Sequence, residues 1–244
     1  MKRSIAFLLL LPVLFAISCS SKSSKDEALL EELSNLDKTT IYERAEALFE
    51  EKKYQEARQL FSFVYDSFPN DPLGHKAALR VADTYAAKSD VTSLTEARLR
   101  YRDFANRYPN DPDRDYALFM VGQTFSARKL RPDRDLSPIH EALGAYRQLD
   151  NLYPNSQYAP EAEARMGGLE ELLAEHEWHV ATYYFRNKQL IGAKWRLEYI
   201  QENYPDYVKM AEVNERISAI QTRLDAAEAK YKKLIEERTK KIED

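Results

Sequence analysis

Four histidines stand in this chain of 244 residues: His75, His140, His176 and His179. Only the last two are close. They lie three apart on a helical pattern with Glu175 beside them, so they could hold a metal ion. The spacing is H-x-x-H, however, not the H-E-x-x-H of zinc hydrolases. Surface or interface histidines are the expectation, and no metal or cofactor is assigned. No Gly-rich phosphate loop and no G-x-S-x-G elbow occur. Carboxylates are plentiful, as on any charged helical surface, but no pair stands out as acid and base. The single Cys, Cys19, allows neither an intramolecular disulfide nor a Cys-rich zinc site. The chain reads as a non-enzyme. Its chemistry must be binding, and the helices that present binding side chains become the question.

The totals agree. The chain is 44% hydrophobic and 31% charged with only 6 Gly, which suits soluble helical packing. Its formal net charge is −4. Nucleic acid is therefore not an expected partner, because phosphate binding wants a concentrated basic surface. The start is different in kind. Lys2-Arg3 precedes an apolar run of 13 residues, Ile5 to Ile17, too short for a comfortable membrane span and suited to a leader core. Ala16-Ile17-Ser18-Cys19 then resembles a bacterial lipobox, with Ala16 where Leu is usual. The expected outcome is cleavage before Cys19 and acylation of its thiol, which leaves no thiol nucleophile. The alternative is an ordinary leader with an incidental Cys. Residues 1–18 are thus read as signal peptide and 19–35 as a lipid-anchored tether. Ser20, rather than Asp, resembles the outer-membrane sorting signal of Gram-negative lipoproteins.

Beyond the tether, amphipathic runs alternate with stops. Phe68-Pro69-Asn70-Asp71, Tyr108-Pro109-Asn110-Asp111, Tyr153-Pro154-Asn155-Ser156 and Tyr204-Pro205-Asp206 each end a run, the prolines 40, 45 and 51 residues apart. Pro cannot continue a helix and drives the residue before it out of the α region. The Asn or Asp after it can cap the next helix. Stops at such intervals mark a helical repeat protein. Within the repeats, small residues recur where paired helices must approach. Ala45 and Ala57 stand 12 apart, as do Ala181 and Ala193, matching the tetratricopeptide pattern. Gly122 to Ala142 spans 20 residues, so the third unit carries an insertion at 128–138. That insertion is charged, with Arg131, Asp133, Arg134 and Asp135, and reads as a solvated loop or as a contact loop on a rigid scaffold. After Pro205 no Pro or Gly remains. Val213, Ile217, Ile220, Leu224, Ala227, Tyr231 and Leu234 alternate steps of four and three, a heptad seam about three heptads long. Such a helix caps the array, offers its stripe to a partner, or does both.

Laid out this way, the chain resembles the ComL/YfiO-type tetratricopeptide family of outer-membrane β-barrel assembly lipoproteins, from Cys19 to roughly Thr222. The residues that carry the resemblance are Asp115-Tyr116 with Met120-x-Gly122, the insertion Arg131-x-Asp133-Arg134-Asp135 followed by His140, and Tyr153-Pro154-Asn155-Ser156-Gln157-Tyr158. Glu177, Val180 to Tyr184, Arg196-x-Glu198 and Tyr204-Pro205-Asp206 complete it. The departure is C-terminal. The family's fifth unit is a helix pair, whereas Met210 to Lys240 holds no turn signal, so the last two helices are expected to fuse.

The expected fold is all-α, a tetratricopeptide-repeat right-handed superhelix of about five helix pairs with a long C-terminal helix. Its parts are N-terminal units at 36–112, C-terminal units at 113–205 and the terminal helix at 206–244. The resemblance implies a scaffold of the β-barrel assembly machine, lipid-anchored on the periplasmic face of the outer membrane. The implied partners are the periplasmic domains of the barrel insertase, other lipoproteins of the machine, and unfolded outer-membrane proteins. It places insertase docking on the C-terminal units, hence Arg196 and Glu198, and substrate contact on the N-terminal ones. For substrate, Tyr42, Phe61 and Tyr85 are candidates, each with core packing as the alternative. Two rivals remain. One is a tetratricopeptide scaffold of another envelope system, a Tol-Pal coordinator or pilus pilotin. The other is an enzyme with a helical-repeat domain, for which no residues are left to form a catalytic part.

Overall fold

The computed structural model describes residues 30–126, 131–133 and 135–243. Cys19 and the leader lie outside them, as does Arg134. The described residues are all-α and tetratricopeptide-like, with no strand among them. Two compact units divide between Thr84 and Tyr85.

The first unit begins with a short helix, α1, at 30–34. Next come α2 (Lys38–Glu50), α3 (Tyr54–Ser67) and the bulk of α4 (Pro72–Ala86). Asp37 caps α2 by accepting from the Thr39 N–H at 2.9 Å. Ala45 and Ala57 have no exposed surface, which lets α2 and α3 approach, and Ile41, Leu60, Phe61 and Val64 fill the core around them. The α2–α3 turn is a Schellman closure. Lys53 N–H donates to Leu48 C=O and Lys52 N–H to Phe49 C=O, with Lys52 at φ 60°. Arg80 of α4 ties back to α2. Its Nε donates to Glu46 at 2.8 Å, its Nη1 to Asp83 at 2.8 Å, and its guanidinium lies 4.0 Å from the Phe49 ring centre. Burial penalises the Arg80 charge, but hydrogen bonds to both carboxylates win and its pKa rises.

The second unit holds α5 (Val91–Arg107), α6 (Arg114–Ser126), α7 (Ser137–Leu152), α8 (Ala159–Arg186), α9 (Leu190–Asn203) and α10 (Met210–Glu243). Consecutive helices pack on one another from α5 to α10. Ala97, Ala142, Ala181 and Ala193 are fully buried at the close approaches. α8 passes through Gly167-Gly168 as one helix of 28 residues. The expected fusion at the C-terminus is present: α10 is one helix of 34 residues. At 1.5 Å per residue it is roughly 50 Å long.

The aromatic–proline stops share one geometry. Phe68, Tyr108, Tyr153 and Tyr204 are the C-caps of α3, α5, α7 and α9, with φ between −137° and −120° and ψ between 54° and 70°. Each N–H still closes the last helical turn onto the carbonyl four residues back. The following proline prevents a further turn. The side chains that close these turns stand one residue past the Asn beside Pro. Asp71, Asp111 and Ser156, rather than the Asn beside Pro, accept from the N–H groups of Leu73, Asp113 and Tyr158. The reason is reach: these side chains close turns onto their own backbone two residues on.

Candidate partner-docking site

In α9, periodicity alone does not show which side faces inward. Ala193, Leu197 and Ile200 point into the core with Trp178 and Ala181 of α8. The opposite side is apolar as well. Ile191 is 75% exposed and Trp195 is 56% exposed, one helical turn apart. Trp195 stacks on Tyr199 with ring centres 6.0 Å apart, and Tyr199 meets Tyr204 edge-on at the same distance. Beside them the Arg196 guanidinium lies 4.9 Å from the Trp195 ring centre and donates to Glu177 of α8 at 2.8 Å. Glu177 is nearly buried, so this ion pair holds the guanidinium against the indole. Glu198 is half-exposed and pairs with Lys194 at 3.2 Å. The face therefore combines Trp, Tyr and a pre-oriented Arg with flanking charge, the composition of interface hot spots. Sequence reading singled out Arg196 and Glu198. It missed Trp195 and Ile191, whose signal was an apolar pair out of register with the buried Ala193-Leu197-Ile200 set.

This face rests on a fixed base. Glu175 of α8 accepts from the Tyr207 hydroxyl at 2.5 Å and from Lys209 Nζ at 2.7 Å, and pairs with His179 at 3.3 Å. Burial pushes the Glu175 carboxyl up, but the hydrogen bonds from Lys209 and Tyr207 outweigh it and the net shift is down. Tyr207 is pushed up, first by its burial and then by that bond. The cation–π stack of Arg216 on Trp178, at 4.0 Å, and its 2.8 Å bond to Thr182 fasten α10 to α8.

The insertion touches the same helix. His176 Nδ1 donates to the Pro132 carbonyl at 2.6 Å. Arg131 and Asp133 form a bidentate pair with both bonds at 2.9 Å, and Asp135 closes the turn into α7 by accepting from Ser137 N–H. The two close histidines are thus divided in their duties, His176 to the insertion and His179 to Glu175. Among the described residues no group of three metal-binding side chains converges.

Two motifs read separately in the sequence form one joint. The Ser156 hydroxyl donates to Asp115 at 2.6 Å, Arg114 Nη1 donates to the Tyr153 hydroxyl at 3.2 Å, and Tyr158 packs on Tyr116 and Phe119 with ring centres 5.5 and 5.2 Å away. The turn before α8 is locked to the start of α6.

The three aromatic candidates for substrate differ. Phe61 has no exposed surface and is core, where it meets Tyr42 edge-on at 5.3 Å. Tyr42 is half-buried; burial and a hydrogen bond to Glu46 raise its pKa. Tyr85 is half-buried under the Arg100 guanidinium at 5.0 Å. Separately, a cleft of about 450 Å³ opens among α5, α6 and α7, lined by Arg102, Asn106, His140, Glu141 and Gln148 with Val121 at its floor.

The YfiO family model, described as outer membrane lipoprotein, matches residues 34–239. The chain belongs to this family. Among similar proteins, the outer membrane protein assembly factor BamD of Haemophilus influenzae is 25% identical over 214 residues, covering 84% of this chain and 78% of that protein. BamD of Neisseria gonorrhoeae is 28% identical over 183 residues, 67% of each chain. BamD of Vibrio cholerae is 27% identical over 176 residues, 68% of this chain and 72% of that protein. Among the described residues no helix is long and apolar enough to cross a membrane.

Proposed function

We propose that this YfiO-family chain is a scaffold of outer-membrane β-barrel assembly that works by holding partners rather than by catalysis. Cys19 carries the lipid anchor, and the helical units face the periplasm. The periplasmic part of the barrel insertase docks on the outer side of α9, with Trp195 as the apolar anchor and Arg196 as the oriented charge. The observation that carries this reading is the exposed Trp195 with Arg196 stacked beside it and braced by Glu177. A side chain pre-ordered in its binding pose loses less entropy on docking. Glu198 supplies rim charge. Arg131, Asp133, Arg134 and Asp135 extend the contact region from the neighbouring insertion toward other lipoproteins of the machine. Unfolded outer-membrane proteins are held elsewhere, on surfaces that include Tyr42, Tyr85 and the cleft at His140. Phe61 acts only by supporting Tyr42 from beneath.

The test is capture of the tagged chain from detergent-solubilised outer membrane. The insertase should co-elute with the wild type, and Trp195→Ala and Arg196→Glu should each weaken its capture by tenfold or more, a typical loss at a hot spot. Trp195→Ala should keep wild-type helicity, because Trp195 is not core, whereas Arg196→Glu also sets two carboxylates together at Glu177 and is read beside its own thermal melt. Elution of Tol, Pal or a pilus secretin in place of the insertase would sink the proposal.

A further inference from the structure

The heptad stripe of α10 is divided by the structure. Val213 and Ile220 are fully buried in the core with Leu197 and Trp178, and Ile217 and Leu224 pack against it. Past Leu224 every residue from 225 to 242 is exposed among the described residues. Tyr231 is 64% exposed and Ile242 is 84% exposed, with Leu234 and Ile235 about half exposed. The end of the helix is also charged differently from the rest. Residues 230–244 hold Lys230, Lys232, Lys233, Arg238, Lys240 and Lys241 against Glu236, Glu237, Glu243 and Asp244, a net of +2 on a chain whose total is −4.

The charges are placed with the apolar residues. At 3.6 residues per turn, Tyr231, Leu234, Ile235 and Ile242 share one side, with Arg238 among them. Lys230 and Lys241 border that side on one edge, with Glu237 beside Lys230, and Lys232 borders the other, where it pairs with Glu228 at 2.8 Å. Lys233, Glu236 and Lys240 lie away from it. An apolar stripe with lysines on both borders is the pattern of a helix that lies in a membrane interface, its stems along the acyl boundary and its ammonium groups at the phosphates. We propose that the last turns of α10 lie on an anionic lipid surface, as a contact independent of both Cys19 and the docking face.

A second copy of the chain fits less well. After Tyr231 and Leu234, the next seam positions are Arg238 and Lys241, which would bring like charges together in a parallel pair and leave too few heptads for a coiled coil. An acidic protein groove also fits less well, because five of the six cations are Lys, a residue depleted in protein interfaces.

The experiment uses the full chain with Leu234→Cys, labelled with an environment-sensitive fluorophore and reconstituted into vesicles. Labelling of the wild type reports separately whether the Cys19 thiol is blocked. In phosphatidylcholine mixed with phosphatidylglycerol, the label should shift to the blue and be quenched by lipid-borne quenchers. In phosphatidylcholine alone it should stay as in water. High salt should reverse the shift, because exposed charges are screened. Lys230→Glu, Lys232→Glu and Lys241→Glu together should abolish it, since each lysine near an anionic surface multiplies binding about fivefold. Equal spectra in neutral and anionic vesicles would overturn the proposal. So would a blue shift that grows with protein concentration in the absence of phosphatidylglycerol, which would assign the stripe to a second copy.

Discussion

Gly122→Ala should destabilise the second unit although alanine is the better helix former. A Cβ built on Gly122 would lie 2.5 to 2.7 Å from Cε1, Cζ and Cδ1 of Tyr146. Carbon atoms rest at about 3.5–4.0 Å, so the ring must retreat by roughly 1 Å. It has little room. Tyr146 is fully buried, lies against Phe119 at 5.9 Å, and its hydroxyl meets Ser126 Oγ at 3.3 Å. Overpacking of this kind costs about 1–3 kcal/mol, and straining the hydroxyl contact adds about 1 kcal/mol. Against this, exchanging Gly for Ala inside a helix returns about 1 kcal/mol. The net expectation is a loss of about 1–3 kcal/mol. Urea titration followed by far-UV circular dichroism reads the effect. Gly167→Ala serves as the control, since nothing lies within 4 Å of its Cβ and only the helical gain should appear. In a Tyr146→Leu background, which removes Cε1 and Cζ, Gly122→Ala should become neutral or stabilising. An equal cost in both backgrounds would refute the reasoning, as would a stabilising Gly122→Ala in the wild type.

Three further outcomes follow from the same structure. Lys188 closes the α8–α9 turn at φ 61°, where a side chain costs about 1 kcal/mol, so Lys188→Gly should raise the unfolding free energy by about that much, read as a higher urea midpoint at unchanged m-value. Val213→Asp should cost more than about 3 kcal/mol because it buries a charge, whereas Tyr231→Asp should stay within about 0.5 kcal/mol; a thermal melt of each variant separates the two halves of the α10 stripe. The Glu175 carboxyl has its folded pKa below the ordinary 4.5, so its contribution is complete above about pH 4.5 and fades as pH falls through the lower folded value. Glu175→Gln should accordingly reduce stability at pH 7, and the gap between variant and wild type should close in acid; a gap that widens in acid would show the sign to be wrong.

The helix stops were legible because proline acts through its own backbone, whatever surrounds it. The small residues were legible because only they allow close helix approach. The face of a helix was legible where one side alone is apolar, as in α3, where Ala57, Phe61 and Val64 are all buried. α9 shows the limit. Ala193, Leu197 and Ile200 compete with Ile191 and Trp195, and only the helices packed around it decide which set is inside. Tyr42 and Phe61 show the same limit one residue at a time, since the T-shaped pair puts one ring fully in the core and the other at its edge. Contacts between distant positions were not legible at all. Nothing in the spacing of His176 and Pro132 announces a hydrogen bond between residues 44 apart.

The joint at Asp115 and Ser156 carries a consequence for the proposed docking face. α8 is the longest internal helix, and its start is set by the turn that Ser156 and Tyr158 fasten to α6. Continuous helix from Ala159 then carries any error in that start to Glu177, its nineteenth residue, which braces Arg196. A polar pair at one end of a rigid rod therefore positions a guanidinium near the other. The insertion meets the rod between them, at His176. The family motifs at Asp115, at the insertion, at Tyr153 to Tyr158 and at Arg196 look scattered along the chain. Their physical connection is α8, which each of them begins, touches or reads. This is a reason for such dispersed residues to occur together in one scaffold: a docking surface on paired helices is only as well oriented as the longest helix beneath it.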